Sequence, residues 1–135
     1  GPWRKDLVAD KSITLPDGRV IEPDQVLGEE KAGTSLVVVG DVGKPEKLRE
    51  QVRGADALVI EATYLQEEAA MAQEFGHTTA GAVAELAKQG GVGQLILTHV
   101  SRRYSDEEIL AEASAVFPNT KLAHDFDAFT IRHEE

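Results

Sequence analysis

Short apolar runs separated by helix-like segments set the pattern of the chain from residue 35 onward. Residues 35–39, 57–60 and 94–98 are almost uniformly apolar, as in parallel strands covered on both faces. Residues 45–53 and 66–75 lie between them and have the composition and start signals of helices. This alternation predicts an α/β architecture built in layers.

Two further helices carry capping signals. Thr78 or Thr79 can cap a helix whose apolar stripe ends before Gly90. Ser105 and Glu108 have the spacing of a capping box, in which each satisfies a backbone N–H of the other. These signals predict that helices follow the second and third apolar runs.

Short β-prone runs are expected at both ends of the chain. The Pro-Asp-Gly sequence at 16–18 lies between residues 12–15 and 19–21, which predicts a β-hairpin. Near the other end, residues 121–123 and 128–131 are expected to form a final pair of strands.

Composition narrows the class of protein. The 135 residues are 41% hydrophobic and 28% charged, with 14 Lys and Arg against 24 Asp and Glu, a net charge of −10. Such acidity argues against broad binding to a phosphate backbone, which depends on basic side chains. With no cysteine, disulfides and thiolate metal sites are excluded. Since no apolar run approaches a membrane span of about 20 residues, we expect a cytoplasmic protein with no membrane contact.

Polar residues follow the carboxyl ends of three successive apolar runs. They are Asp41, Glu61 and His99, and His77 lies in a loop between two predicted helices. Open α/β sheets place their sites at such strand ends. A carboxylate with neutral imidazoles suits Zn²⁺ or Mn²⁺. Taken singly, Asp41 could be a turn cap, Glu61 a surface charge and His99 a satisfied polar residue.

Four motifs, in order along the chain, change the interpretation of these residues. They are Gly-Asp-Val at 40–42, Ile-Glu-Ala-Thr-Tyr at 60–64, Gly-His-Thr-Thr-Ala at 76–80 and Leu-Thr-His-Val-Ser-Arg-Arg-Tyr at 97–104. Together they resemble the C-terminal half of ribonuclease Z, the tRNA 3′-processing endonuclease of the metallo-β-lactamase superfamily. The resemblance covers nearly the whole chain. It implies that residues 1–135 form one half of an αββα sandwich, a mixed sheet with helices on one face and an N-terminal hairpin.

The resemblance also implies roles for the site residues. Asp41 would bridge two divalent metal ions, zinc or alternatively manganese, and His99 would be a terminal ligand of one of them. Glu61 and His77 would orient each other, with His77 giving a proton to the leaving 3′ oxygen. The implied reaction is removal of the 3′ trailer from precursor tRNA by a hydroxide that the two metal ions activate.

The loop that follows the proposed ligand His99 contains three candidates for substrate binding. Ser101, Arg102 and Arg103 could contact a substrate phosphate, because arginine is a planar, bidentate partner of phosphate. The alternative interpretation of the two arginines is a solvated loop.

The sequence also departs from the family pattern. Val42, Ile60 and Thr78 stand where relatives usually have Thr, His and Ser. The superfamily motif His-x-His-x-Asp-His does not occur in the 135 residues. This implies a missing N-terminal half, and we expect the chain alone to bind metal weakly and to cleave nothing. Its exposed apolar sheet face would then need that half, a homodimer partner or another chain.

Other interpretations remain open at this point. The chain could belong to another hydrolase of the same superfamily, since the metal ligands are shared across it. It could also be a non-catalytic half-domain subunit, or an interaction module with accidental motifs. His124 is expected to be a satisfied structural residue and His133 to be exposed to solvent.

Overall fold

The computed structural model describes residues 1–133, and the chain divides into two compact units. The first, residues 1–32, contains a short helix α1 (Arg4–Val8) and the strands β1 (Ile13–Thr14) and β2 (Val20–Ile21). The two strands pair antiparallel around the Pro-Asp-Gly turn, which confirms the predicted hairpin. A 3₁₀ turn at Pro23–Gln25 follows.

The second unit, from residue 33 onward, is a parallel α/β layer. A four-stranded sheet has the order β3-β4-β5-β6, and every neighbouring pair is parallel. The strands are β3 (Leu36–Val38), β4 (Ala57–Glu61), β5 (Gln94–Thr98) and β6 (Thr120–Leu122). The helices are α2 (Arg49–Val52, after a 3₁₀ turn at Pro45–Leu48), α3 (Ala69–Glu74, after a 3₁₀ turn at Gln66–Glu68), α4 (Ala80–Gly90) and α5 (Asp106–Val116).

The core lies between the helices and one face of this sheet. Aliphatic side chains that alternate along the central strands, such as Leu58 and Leu97, are fully buried. They belong to one cluster with Val83 of α4 and Ile109 of α5. Burial of such side chains is the main favourable term in folding, about 1.5–3 kcal/mol for each. The central strands are thereby fixed, and so are the loops that leave their carboxyl ends.

Both predicted caps are present. The side chain of Thr79 accepts a hydrogen bond from the backbone N–H of Ala82, so Thr79 rather than Thr78 begins α4. Ser105 and Glu108 form the reciprocal capping box of α5. These contacts satisfy backbone donors that the first turn of a helix leaves unpaired.

Two strand predictions need correction. The run at 35–39 was expected to be covered on both faces, but β3 is an edge strand, and 68% of Val38 is exposed. Residues 128–131 form no strand in the described structure. Instead, the amine of Lys121 lies 5.9 Å from the ring centroid of Phe129, so this segment packs on side chains of β6 without backbone pairing. The expected mixture of parallel and antiparallel pairing is divided between two separate sheets.

The end of the described chain is held at the amino edge of the sheet. Nδ1 of His133 lies 2.9 Å from the carboxylate of Asp56, so this histidine has a partner although it is partly exposed. The backbone N–H of Ser35 donates to the same carboxylate at 2.7 Å and is the main reason that the pKa of Asp56 is lowered. Across the described residues, no helix combines the length and the apolar character that crossing a bilayer requires.

Candidate metal centre

The parallel sheet brings the predicted site residues to one edge. Glu61 is the last residue of β4, His99 comes directly after β5, and Asp41 follows β3 by three residues. His77 lies in the loop between α3 and α4. Parallel strands all end on the same side, so Asp41, Glu61 and His99 meet in space although they are far apart in sequence, and His77 joins them from its loop.

Asp41, His77 and His99 form a compact cluster of potential metal ligands. One ligand atom from each residue lies within 4.8 Å of the others. Oδ1 of Asp41 is 2.9 Å from Nδ1 of His99, and the rings of His77 and His99 meet edge to face with centroids 5.2 Å apart. Asp41 and His99 are exposed, while His77 is mostly buried. The cluster therefore faces solvent on one side and the protein on the other.

Glu61 is a buried carboxylate that holds residues of this cluster in place. Its side chain is only 1% exposed, yet its carboxylate is well satisfied. The backbone N–H of Val42 donates to Oε1 at 2.6 Å, and Nδ1 of His77 lies 3.0 Å from Oε2. Because Nδ1 of His77 is engaged by Glu61, Nε2 is the ring nitrogen available to a metal or a substrate.

Thr63 is a part of the site that the sequence analysis missed. Its hydroxyl hydrogen-bonds to Oε2 of Glu61 and lies 2.8 Å from the carbonyl oxygen of His99. It therefore links the buried carboxylate to the loop that carries a candidate ligand. Its spacing of two residues from Glu61 in an extended segment, which places both side chains on one face, was the available signal. Val42 participates through its backbone, so the absence of a hydroxyl there does not remove the contact to Glu61.

The loop after His99 separates the three substrate-binding candidates. Arg102 lines a cavity of about 650 Å³ that also includes His99. Arg103 turns toward α3, where its guanidinium contacts Met71 and lies 3.5 Å from the carboxylate of Glu68. Ser101 is held in the turn, with its backbone N–H donating to the carbonyl of Thr63. Of the two arginines, the structure brings only Arg102 to the cavity beside the cluster.

His124 occupies the far wall of the same cavity. Nε2 lies 2.7 Å from Oδ2 of Asp106, the first residue of α5, and Nδ1 lies 3.3 Å from Oδ2 of Asp127. The hydrogen bond to Asp106, followed by that to Asp127, raises the pKa of His124 above its usual value. His124 is thus a satisfied residue, as expected, and it ties the loop after β6 to the start of α5.

The donor set of the cluster fits a divalent metal ion. One carboxylate and two imidazoles are ligands that zinc and manganese accept. A histidine whose second ring nitrogen is held by a buried carboxylate, as in the pair of His77 and Glu61, is a usual neighbour of protein-bound metals. The described residues thus provide a partial His and Asp metal site at the carboxyl edge of a parallel α/β sheet.

The fold and this partial site define a class of α/β protein with a metal centre at the ends of its strands. A model of the beta-lactamase superfamily domain matches residues 24–100. The chain therefore belongs to the beta-lactamase superfamily.

Similar proteins point to one branch of that superfamily. Ribonuclease Z from Bradyrhizobium sp. (strain ORS 278) is 53% identical over 131 residues, which is 97% of this chain and 44% of the relative. The structure of the short form of human tRNase Z matches 84% of this chain and 37% of its own, with 27% identity and a TM-score of 0.57. The metallo-beta-lactamase fold protein YhfI from Bacillus subtilis matches 67% of this chain and 37% of its own at a TM-score of 0.62; its 23% identity supports the fold alone. The chain is a homologue of ribonuclease Z and spans about 44% of the length of the curated relatives it matches.

Proposed function

We propose that this chain supplies one half of a metal-dependent phosphodiesterase site that removes the 3′ trailer from precursor tRNA. One observation carries the proposal: His77, anchored through Nδ1 by the buried Glu61, lies in the same cluster as Asp41 and His99. A hydrolytic site needs ligands for a metal and a proton donor for the leaving group, and this arrangement offers both. The names ribonuclease Z and tRNase Z, carried by the similar proteins, favour tRNA as the substrate.

Asp41 and His99 are proposed to hold two divalent metal ions together with ligands from outside these 135 residues. Zinc is the ion we favour, and manganese is the alternative. When bound, such ions lower the pKa of water and offset the charge of the substrate phosphate. Asp41 contributes negative charge that attracts both ions, while His99 contributes a neutral nitrogen ligand.

His77 is proposed to protonate the leaving oxygen. In the reaction, a bond forms between a water oxygen and phosphorus, and the bond from phosphorus to the 3′ oxygen of the tRNA breaks. The 3′ oxygen then needs a proton, which Nε2 of His77 can give. The carboxylate of Glu61 lies 3.0 Å from Nδ1 and fixes the orientation of the ring, which leaves Nε2 available for this transfer.

The loop at 101–103 is proposed to position the substrate phosphate. Arg102 supports this role, since it lines the cavity that also includes His99. Arg103 is assigned a lesser part, because Glu68 and Met71 already engage its guanidinium. Ser101 would act from the turn in which its backbone is held.

The partner of this half is proposed to be the remainder of the longer fold, with a homodimer as the alternative. Val38 and Leu36 point away from the core and leave an apolar sheet edge exposed. The acidic charge of −10 makes this chain an unsuitable main contact for RNA, so we assign most of the RNA grip to the remainder. We also propose that the protein acts in the cytoplasm.

Two other functions would use the same residues. Another hydrolase of the superfamily would share Asp41 and His99, whereas the pair of Glu61 and His77 favours a reaction whose leaving group needs a proton. A non-catalytic subunit is less favoured, because a ligand-type atom of His77, the proposed proton donor, lies within 4.8 Å of those of the two proposed ligands, Asp41 and His99.

The proposal is tested by incubating the complete protein that carries this chain with a precursor tRNA bearing a 3′ trailer. We expect cleavage that leaves a 3′ hydroxyl on the tRNA and is lost when EDTA removes the metal. The isolated 135-residue chain should give no product. Cleavage by the rigorously purified isolated chain would overturn the half-site proposal, and no cleavage by the complete protein would overturn the tRNA assignment.

A further inference from the structure

Phe126 has an unusual backbone and an unusual exposure. It is one of three described non-glycine residues with positive φ, at +70°, and its ring is fully exposed to solvent. Positive φ is disfavoured for a residue with a side chain, and a large apolar ring gains nothing from water. The positive φ and the exposed ring are therefore both unfavourable for the folded state of this segment.

The turn that displays Phe126 is well held. The backbone N–H of Asp127 donates to the carbonyl of His124 at 3.1 Å, so residues 124–127 form a β-turn with Phe126 at its third position. Glycine is the usual residue there when φ is positive. The Asp127 carboxylate also accepts a hydrogen bond from the backbone N–H of His124 at 2.9 Å.

Two connections fix this turn to the rest of the unit. The backbone N–H of Ala123 donates to the carbonyl of Leu97 at 2.9 Å, which extends the sheet contact beyond β6. The ring of His124 reaches Asp106 at the start of α5. Phe126 is therefore presented from a tethered support, so binding a ligand there would require little ordering of the loop.

The position of the turn points to the substrate. Residues His124 and Asp125 line the cavity of about 650 Å³ that Arg102 and His99 also line. Phe126 is the next residue of this turn, and an exposed aromatic ring there is suited to stacking on a base, since every base has an aromatic face. The residues on either side of Phe126 in the sequence, Asp125 and Asp127, are acidic, which disfavours a phosphate at this turn but does not oppose an uncharged base.

We propose that Phe126 is a stacking platform for an unpaired nucleobase adjacent to the phosphate that is cleaved. The inference rests on the proposed function, since it takes the substrate to be RNA. In a chain of net charge −10, stacking supplies affinity that basic contacts to the backbone cannot. Arg102 would then bind the phosphate, and the ring of Phe126 would stack on the base.

Three substitutions separate the ring from the backbone conformation. Phe126→Gly removes the ring and suits the positive φ, so it should not lower the melting temperature. Phe126→Leu keeps an apolar side chain and the backbone strain but lacks the aromatic face. Phe126→Trp retains a stacking surface. A merely structural role for the ring predicts that Phe126→Gly is the least stable of the three.

The experiment uses the complete protein and a precursor tRNA with 2-aminopurine placed on either side of the cleavage position. Wild-type protein and Phe126→Trp should quench the fluorescence of one of the two probes. Phe126→Gly and Phe126→Leu should abolish this quenching and weaken binding about 5- to 150-fold.

Equal binding and quenching by all variants, or no binding of the probe RNA, would overturn the proposal. A fall in the melting temperature of Phe126→Gly with unchanged RNA binding would also overturn it and would mean that the ring packs against protein. Quenching by a protein that does not cleave the tRNA would support the platform while contradicting the proposed function. The two failures are thus distinguished by separate readouts.

Discussion

The buried carboxylate of Glu61 holds Nδ1 of His77 at 3.0 Å, and this contact ties the one loop histidine of the candidate metal cluster to the end of a central strand. Glu61 ends a central strand, whereas His77 lies in a loop between two helices. The contact leaves Nε2 of His77 available and sets the direction in which it points. The contact therefore fixes the orientation of a histidine that its loop alone would not hold.

The first prediction concerns the charge of Glu61. In the complete protein, Glu61→Gln should keep the shape of the side chain but lose the negative charge that holds Nδ1 of His77. We expect cleavage to fall about 10- to 100-fold, as for other residues that orient site ligands. Single-turnover cleavage measures this loss, and bound metal measured on the same sample should be unchanged, because Glu61 is not itself a proposed ligand. Cleavage at the wild-type rate would contradict the role assigned to Glu61.

A second prediction concerns the hydroxyl of Thr63. Thr63→Val keeps the shape of the side chain but removes the contacts to Glu61 and to the carbonyl of His99. Because the variant leaves the Glu61 carboxylate and the His99 carbonyl without this hydrogen-bond partner, the free energy of unfolding should fall by about 1–3 kcal/mol. Urea unfolding of the chain measures this loss. Thr130→Val, at an exposed position, is the matched control and should change little.

These contacts show what the sequence could and could not predict. The strands β4 and β5 were predicted with nearly correct bounds, because a short uninterrupted aliphatic run is typical of a strand buried in a parallel sheet. The meeting of Asp41 and His99 followed from parallel strands ending on one side. The contribution of Val42 could not be read from the sequence, because it comes from a backbone N–H that any residue would supply.

The errors have physical causes as well. Residues 128–131 alternate between exposed and half-buried positions like a strand, but Phe129 lies under the amine of Lys121 and the backbone does not pair. Likewise, the apolar character of residues 35–39 suggested coverage on two faces. An apolar run reports the burial that a residue type favours and not whether a covering element is present.

A third prediction follows from the close packing at Gly93. A Cβ added there would lie 2.7 Å from the backbone carbonyl oxygen of Asp56, which cannot move without disturbing the start of β4. Gly93→Ala should therefore lower the free energy of unfolding by about 1–3 kcal/mol, as overpacking does. Gly81→Ala in α4 is the control, since its Cβ would come no closer than 3.4 Å to its nearest neighbour, the side chain of Glu112. Thermal unfolding should show a loss for Gly93→Ala alone.

A fourth prediction concerns pH and His124. The hydrogen bond to Asp106 raises the pKa of this histidine in the folded state. Its contribution to stability is therefore full below the unfolded pKa of about 6.5 and is lost as the pH rises through the higher folded value. The difference in melting temperature between wild type and His124→Gln should shrink over that interval. A ring that titrates by NMR at or below 6.5 would contradict this.

The isolated chain gives a fifth prediction, about its exposed sheet edge. Val38 is 68% exposed on an edge strand, so the 135-residue chain should self-associate or be poorly soluble. Light scattering should detect this, and Val38→Lys should raise the monomer fraction. Val20→Lys, which adds the same charge outside this sheet, should have less effect. A monodisperse wild-type monomer would contradict the prediction that this apolar sheet edge needs a partner.

The most direct test of the central claim is single-turnover cleavage of a precursor tRNA by the complete protein carrying His77→Ala, with bound metal measured on the same sample. His133→Ala serves as the control, because that histidine lies beside Asp56 at the opposite edge of the sheet. We predict that His77→Ala lowers cleavage by about 10²- to 10⁴-fold, the usual contribution of a general acid, while metal content is retained. Cleavage at the wild-type rate by the metal-loaded His77→Ala protein would contradict the account.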